Sequence, residues 1–189
     1  MTAGHGCQWW VKPPRRGLRV PEPLAGWVVR TRSLTAAMRG QWPETFEVSV
    51  VSQRWRRPAT EEARRLGVGQ ARWAWVREVV LLGAGRPMIV ARSVIPGSGC
   101  AGELRALRRL GTRPLGDRLF MPGRSCRDPL EVASLRPGNW LSNALSGYSA
   151  DVAQARWARR AVHRLDGHPL LVTELFLPAL VDDAAQGAS

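Results

Sequence analysis

Long hydrophobic runs are absent from this 189-residue chain. No apolar stretch approaches the roughly 18 to 20 residues a membrane span needs. Residues 1–6 hold no apolar segment of the kind that precedes a signal cleavage site, so no secretory signal is read and a cytoplasmic protein is expected. Cysteine is scarce: Cys7, Cys100 and Cys126 are odd in number and none is in CxxC spacing. That argues against a disulfide framework and a zinc site, and leaves incidental thiols. Lysine is nearly missing. Lys12 is the only one, so almost all of the formal +13 charge is arginine. A basic chain suggests nucleic acid or an anionic membrane. Here, however, the arginines are scattered in short pairs such as Arg56-Arg57, Arg108-Arg109 and Arg159-Arg160, and no block reaches five or six like charges. With so much Ala, Gly and Pro, this reads as composition bias and a solvated basic surface. Neither a nucleic-acid partner nor stable membrane insertion is expected.

The familiar catalytic signatures are missing too. There is no HExxH, no GxSxG and no P-loop. Gly83-Ala84-Gly85 begins a GxG, but Met88 stands where a dinucleotide fingerprint needs its third glycine. His5, His163 and His168 are unclustered along the chain. No metal and no nucleotide cofactor are expected.

What remains is an ordinary globular composition, 44% hydrophobic and 23% charged, at a length that suits one domain. Residues 1–20 are polar and broken by Pro13 and Pro14, and read as a loose leader. Two short helices are predicted next, one over 24–29 behind Pro23, one from a Ser33 cap to about Gly40. Residues 46–55 read as a strand. Thr60-Glu61-Glu62 reads as a helix start, with Gly67 as its stop. Residues 72–82 and 87–95 form an antiparallel hairpin about a turn at 83–86. Leu104, Leu107 and Leu110 share a helical face, and a second short helix runs from 112 to 120. A strand over 124–135 is interrupted by Pro129; residues 136–153 read as irregular. A last hairpin turns at Asp166-Gly167, and the tail from Val181 reads as disordered. Strands and helices come without βαβ alternation, which makes the class α+β with an antiparallel sheet.

Three charged residues sit in apolar sequence. Leu82 facing Pro87 across the first turn would set Arg77 directly opposite Arg92 on one face. Opposed like charges are unfavourable there, so an anion is expected between them, and two guanidiniums suit two carboxylates. An odd-length turn would put Arg92 on the other face, and a solvated strand face is the alternative. Glu174 lies in Pro-Leu-Leu-Val-Thr-Glu-Leu-Phe-Leu-Pro, the pattern of a strand buried on both sides. It is either a functional carboxylate or half of a structural ion pair.

At these residues the chain resembles the chorismate pyruvate-lyase family of the bacterial ubiquinone pathway. The matching stretches are Trp75-Val76-Arg77-Glu78-Val79-Val80-Leu81, Ala91-Arg92-Ser93-Val94-Ile95-Pro96, Leu110-Gly111-Thr112-Arg113-Pro114-Leu115-Gly116 and Gly167-His168-Pro169-Leu170-Leu171-Val172-Thr173-Glu174-Leu175-Phe176-Leu177-Pro178. The resemblance covers about residues 22 to 180. It implies a mostly antiparallel six-stranded sheet with helix-turn-helix flaps, at 33–40 and 103–120, over an enclosed ligand site. It implies a cofactor-free elimination that converts chorismate to 4-hydroxybenzoate and pyruvate. It also implies roles: Arg77 for the ring carboxylate, backbone N–H groups of Leu34 and Leu115 for the same carboxylate, Arg92 for the enolpyruvyl carboxylate, and Glu174 for the 4-hydroxyl. Arg92 and Glu174 would act in catalysis. Residues 137–153 look inserted, and a single domain over 21–180 is expected to act as a monomer. The alternative is a non-catalytic aromatic-carboxylate sensor, because the ligand-binding domain of a class of bacterial transcription regulators resembles the same fold. With so short a leader ahead of the matching region, the DNA-binding domain such regulators carry is not expected.

Overall fold

A computed structural model describes residues 7–11, 20–30, 32–99, 102–120 and 125–186. The expected leader at 1–6 and 12–19, the tail end at 187–189, Cys100 and the side chain of Leu104 lie outside the described residues. The elements in order are β1 (Trp9–Trp10), α1 (Glu22–Val28), α2 (Leu34–Gln41), β2 (Glu47–Arg56), α3 (Thr60–Leu66), β3 (Ala74–Gly83) and β4 (Arg86–Pro96). Then follow α4 (Gly102–Leu107), α5 (Gly116–Leu119), β5 (Ser125–Arg127), β6 (Glu131–Ser134), α6 (Trp140–Leu145), β7 (Trp157–Leu165), β8 (His168–Phe176) and α7 (Pro178–Gln186).

The strands form one antiparallel sheet in the order β1-β6-β7-β8-β4-β3-β2, with β5 paired to β7 beyond β6. The α+β class and the six-stranded sheet are as expected, with the short β1 and β5 added at one side. Pro129 divides the region expected as one strand into β5 and β6, because proline cannot donate to the ladder. Both long hairpins close through two left-handed residues, Ala84 with Gly85 and Asp166 with Gly167. That turn matches the twist of the strands it joins. Three expectations fail at the ends and in the insertion. Trp9–Trp10 pairs with β6, α7 carries the tail to Gln186, and residues 137–153 contain α6 rather than only irregular chain. In each case buried apolar surface outweighs polar or turn-forming composition: Leu141 and Leu145 are fully buried, each worth about 1.5–3 kcal/mol.

The expected pairing of Arg77 with Arg92 is wrong. Leu82 does face Pro87, but Leu81 pairs with Ile89, so Met88 is an extra residue on β4. A bulge of one residue turns every later side chain on the strand to the other face. Arg77 therefore lies opposite Ser93, and Arg92 opposite Glu78. Arg92 points to the face covered by α3 and α6. There Arg92 Nε and Nη2 donate to Glu62 Oε1 and Oε2 at 2.7 and 3.1 Å, and Nη1 donates to Glu78 Oε1. Tyr148, from the expected insertion, donates to Glu78 Oε2, and the Arg56 guanidinium stands 3.6 Å from Glu78. Burial works against the charge on Arg92, but hydrogen bonds and charges of Glu62 and Glu78 outweigh it and raise its pKa above the ordinary value. The same face anchors the leader. Trp9 Nε1 donates to Glu61 at 3.1 Å, and the Arg160 guanidinium lies 4.1 Å from the Trp9 ring centroid. Cys7 is held there with its thiol pushed up to about 11, by burial first and then by Glu61, so it stays protonated as an incidental thiol would.

Breaking a buried ion pair from one side costs about 3–5 kcal/mol, because it strands the partner charge. Arg92→Met strands Glu62 and leaves Glu78 with Tyr148 and the more distant Arg56. Its urea midpoint is expected to fall by that equivalent, and a midpoint equal to that of the unaltered chain would refute the network's structural role.

Candidate functional site

The other face of the sheet carries a cavity. Its floor is built from alternate residues of β2, β3, β4, β8 and β7: Val48, Arg77 and Val79, Ala91 and Ser93, Val172 and Glu174, and Arg159 and His163. Alternation alone puts these side chains on one face. The roof is the start of α2 (Ser33, Leu34, Thr35) and the Pro114-Leu115-Gly116 turn into α5, with Leu119 and Phe120 behind it. Ser33 caps α2 by accepting from Ala36 N at 3.2 Å, as its sequence position predicts. The two flaps meet closely. A Cβ added at Gly116 would lie 2.7 Å from Ser33 Oγ, so a larger residue there would push the Ser33 hydroxyl out of its capping position, and Arg39 pairs with Asp117 across the flaps at 3.4 Å.

Arg77 is the unusual group. Its side chain is 4% exposed, yet no carboxylate pairs with it among the described residues. Nη2 donates to Gly111 O at 2.9 Å and Arg113 O at 3.2 Å, both in the flap turn, and Nε is buried without a partner. Burial lowers its pKa to about 10, which leaves it cationic at neutral pH. A buried guanidinium satisfied only by carbonyl dipoles is an anion receptor waiting for its anion.

Glu174 sits in the central strand β8, paired across β7 with Arg159, which donates from Nε to Glu174 Oε2 at 2.5 Å. Arg159 is itself buried. Its Nη1 also donates to Trp27 O at 3.2 Å and Arg30 O at 2.7 Å, at the end of α1. Glu174 Oε1 has no partner among the described residues. Arg127 lines the cavity as well, and burial and then the like charge of Arg159 lower its pKa, with Glu174 opposing. His163 is held neutral, its pKa lowered to about 4 by burial first and then by Arg127 and Arg159, with Asp128 opposing. Its Nδ1 is buried and unpartnered, and Phe120 meets its ring edge-on.

Arg77, Leu34, Leu115 and Glu174 thus come together around one cavity, whereas Arg92 does not reach it. Arg159, Arg127 and His163 went unread in the sequence. For Arg159 a signal existed: carrying the Asp166-Gly167 turn six residues along each strand sets it opposite Glu174. The same register places His163 on that face, four residues along β7, but for Arg127 there is no signal, since only a three-residue strand brings it beside His163. Three guanidiniums against one carboxylate leave an excess of two positive charges in a cavity otherwise mostly apolar. No group of three or more His, Cys, Asp or Glu side chains is placed to hold a metal among the described residues, and no described helix is long and apolar enough to cross a membrane.

Proteins of known sequence bear on this cavity. A family model described as chorismate lyase matches residues 9–186. A protein of Aromatoleum aromaticum named probable chorismate pyruvate-lyase is 37% identical over 180 residues, which is 94% of this chain and 96% of that protein. Proteins of the same name from Thiobacillus denitrificans and Halorhodospira halophila are 38% and 42% identical, over 86% and 79% of this chain and 87% and 79% of theirs. Among solved structures, the ligand-binding domain of a putative GntR-family regulator from Bordetella bronchiseptica superposes with a TM-score of 0.43 at 16% identity, over 70% of this chain and 84% of that one. A likeness at that level carries no inference about this site.

The buried neutral histidine sets a pH dependence. Its folded pKa of about 4 lies below the ordinary 6.5, so His163 contributes stability that is full above pH 6.5 and lost as pH falls toward 4. The whole loss is about 3 kcal/mol. A His163→Phe chain is expected to lose less stability than the unaltered chain between pH 7 and 4.5 in urea denaturation. Parallel losses would refute the assignment.

Proposed function

The chain belongs to the chorismate lyase family, and from that premise we propose that this cavity binds chorismate as a dianion and eliminates pyruvate to leave 4-hydroxybenzoate, the first committed step toward ubiquinone. The observation that carries the reading is Arg77, a buried cation lining the cavity with no carboxylate of its own among the described residues.

Arg77 receives the ring carboxylate. Leu34 opens α2 and Leu115 precedes α5, positions where backbone N–H groups have no intrahelical acceptor, so both suit the same carboxylate. Glu174 accepts from the 4-hydroxyl through Oε1, while Arg159 holds Oε2 and fixes the carboxylate's direction. Arg92 takes no part in this reading, because its donors are committed to Glu62 and Glu78 on the far face.

The chemistry asks little of the protein beyond position. Breaking the C3–O ether bond and removing hydrogen from C4 makes the ring aromatic, which supplies the driving force. The hydrogen can pass within the substrate, from C4 to the enolpyruvyl methylene, through a six-membered arrangement of H, C4, C3, O, C and CH2. The methylene becomes the methyl group of pyruvate, and the ether oxygen becomes its keto oxygen. In a closed site this is catalysis by orientation and by electrostatics fixed in advance. The ion pair to Arg159 commits one oxygen of Glu174, which favours an orienting role over proton transfer.

Purified protein given chorismate in EDTA is expected to form 4-hydroxybenzoate and pyruvate in equal amounts, read by chromatography. Tight binding of 4-hydroxybenzoate without turnover would favour a sensor instead. Arg77→Ala is expected to cost about 2–5 kcal/mol in kcat/KM, and an unchanged value would remove Arg77 from the site. Glu174→Gln keeps a hydrogen-bonding group but loses the basic carboxylate. It is expected to retain turnover within about 10-fold, whereas a loss of about 100-fold or more would assign Glu174 a proton-transfer step.

A further inference from the structure

We propose that Arg127, on the short strand β5, is the receptor for the second carboxylate of the substrate, the one on the enolpyruvyl side chain. This rests on the reading of the cavity as a chorismate site and adds a residue to it.

A dicarboxylate in this cavity needs two cationic receptors, and the four candidates differ in what they already hold. Arg92 is on the wrong face, with both of its carboxylates in place. Arg159 is spent on Glu174 and two carbonyl groups. Arg77 is taken by the ring carboxylate. Arg127 lines the same cavity, and its guanidinium has no hydrogen-bond or ion-pair partner among the described residues.

Its place on the sheet fits. Arg127 pairs across the strands with His163, so both side chains stand on the cavity face. From β3 the sheet runs through β4 and β8 to β7 and then β5. At about 4.8 Å per strand, Arg77 and Arg127 start about 19 Å apart. Two arginine side chains reaching inward from opposite rims reduce that gap to the span of a small dicarboxylate. Glu174 stands between them on β8. Ala161 lies on β7 between Arg159 and His163, and its small side chain leaves the floor open along the path from Glu174 to Arg127. A ring held at one end by Arg77 and at its 4-hydroxyl by Glu174 directs its C3 substituent toward this rim. Neutral His163 lines the same cavity beside Arg127 and adds no charge to it. The cavity's excess of two positive charges then meets a dianion, with one guanidinium on each carboxylate.

The test separates substrate from product, because 4-hydroxybenzoate keeps only the ring carboxylate. Arg127→Gln is expected to lower kcat/KM for chorismate by about 30-fold or more, while the inhibition constant of 4-hydroxybenzoate moves by less than about 3-fold. Arg127→Lys, which keeps the charge without the fork, should recover part of the loss and stands in if the glutamine variant fails to fold. Equal losses for substrate and product, or no loss for either, would overturn the assignment. The unaltered chain is assayed alongside. If it neither turns over nor binds chorismate, the reading of the cavity fails and this inference fails with it. If it turns over and Arg127→Gln matches it, this inference alone fails.

Discussion

A charge inside a sheet covered on both faces must be neutralised where it sits, and one extra residue decides where two of these charges sit. Met88 bulges from β4, and the register change sends Arg77 and Arg92 to opposite faces. On one face Arg92 finds two carboxylates, one of them held further by Tyr148, and the network closes on itself. A closed network has no unmet valence with which to hold a ligand. On the other face Arg77 finds, among the described residues, only the carbonyl dipoles of a flap. One hairpin thus makes a structural centre and a receptor from two similar arginines, and they differ only in the partners their faces supply.

The receptor face is also where the flaps are fastened. Arg77 donates to Gly111 and Arg113 at the α4–α5 flap, and Arg159 donates to Trp27 and Arg30, just ahead of α2. Each flap root is therefore held by a guanidinium that also lines the cavity. A carboxylate arriving at Arg77 competes with, or completes, the bonds that hold a flap. Ligand charge and flap position are coupled through shared donors, without any need for a relay through the rest of the fold.

The sequence carries the strands, the turns and Arg77 and Glu174 in legible form, because each depends on local pattern: apolar alternation, left-handed turn residues, a charge in an apolar run. Arg92 was misplaced because a bulge has no local signature; Met88 looks like any other core residue of a strand. Arg159 could have been found by carrying the second hairpin's register through to Glu174, and no bulge intervenes there. Arg127 reaches the cavity through β5, a strand too short to announce itself, whereas His163 shares the β7 face that carries Arg159. Polarity and turn residues make the tail and the insertion look unstructured, yet both fold because apolar side chains find cover: Leu141 and Leu145 of the insertion on one face, and Val181, continuing the helix that buries Ala179 and Leu180, on the other.

The same placement of charge bears on what happens after the bond breaks. Elimination of pyruvate divides a dianion into two monoanions without changing the total charge in the cavity, so the arginines lose nothing at the moment of reaction. What changes is connection: two carboxylates that were tied through one molecule can now leave separately. Pyruvate is small, and in the proposed reading its carboxylate is the one at the rim. In the proposed reading the aromatic product keeps its carboxylate on Arg77, which also holds two flap carbonyls, in a cavity whose lining includes Val172, Val79 and Leu115. Its departure requires that charge-assisted bond to break in an apolar site, where water cannot replace it until the flap moves. A pocket that gains its rate by excluding water thereby ties the release of its product to the opening of its own roof.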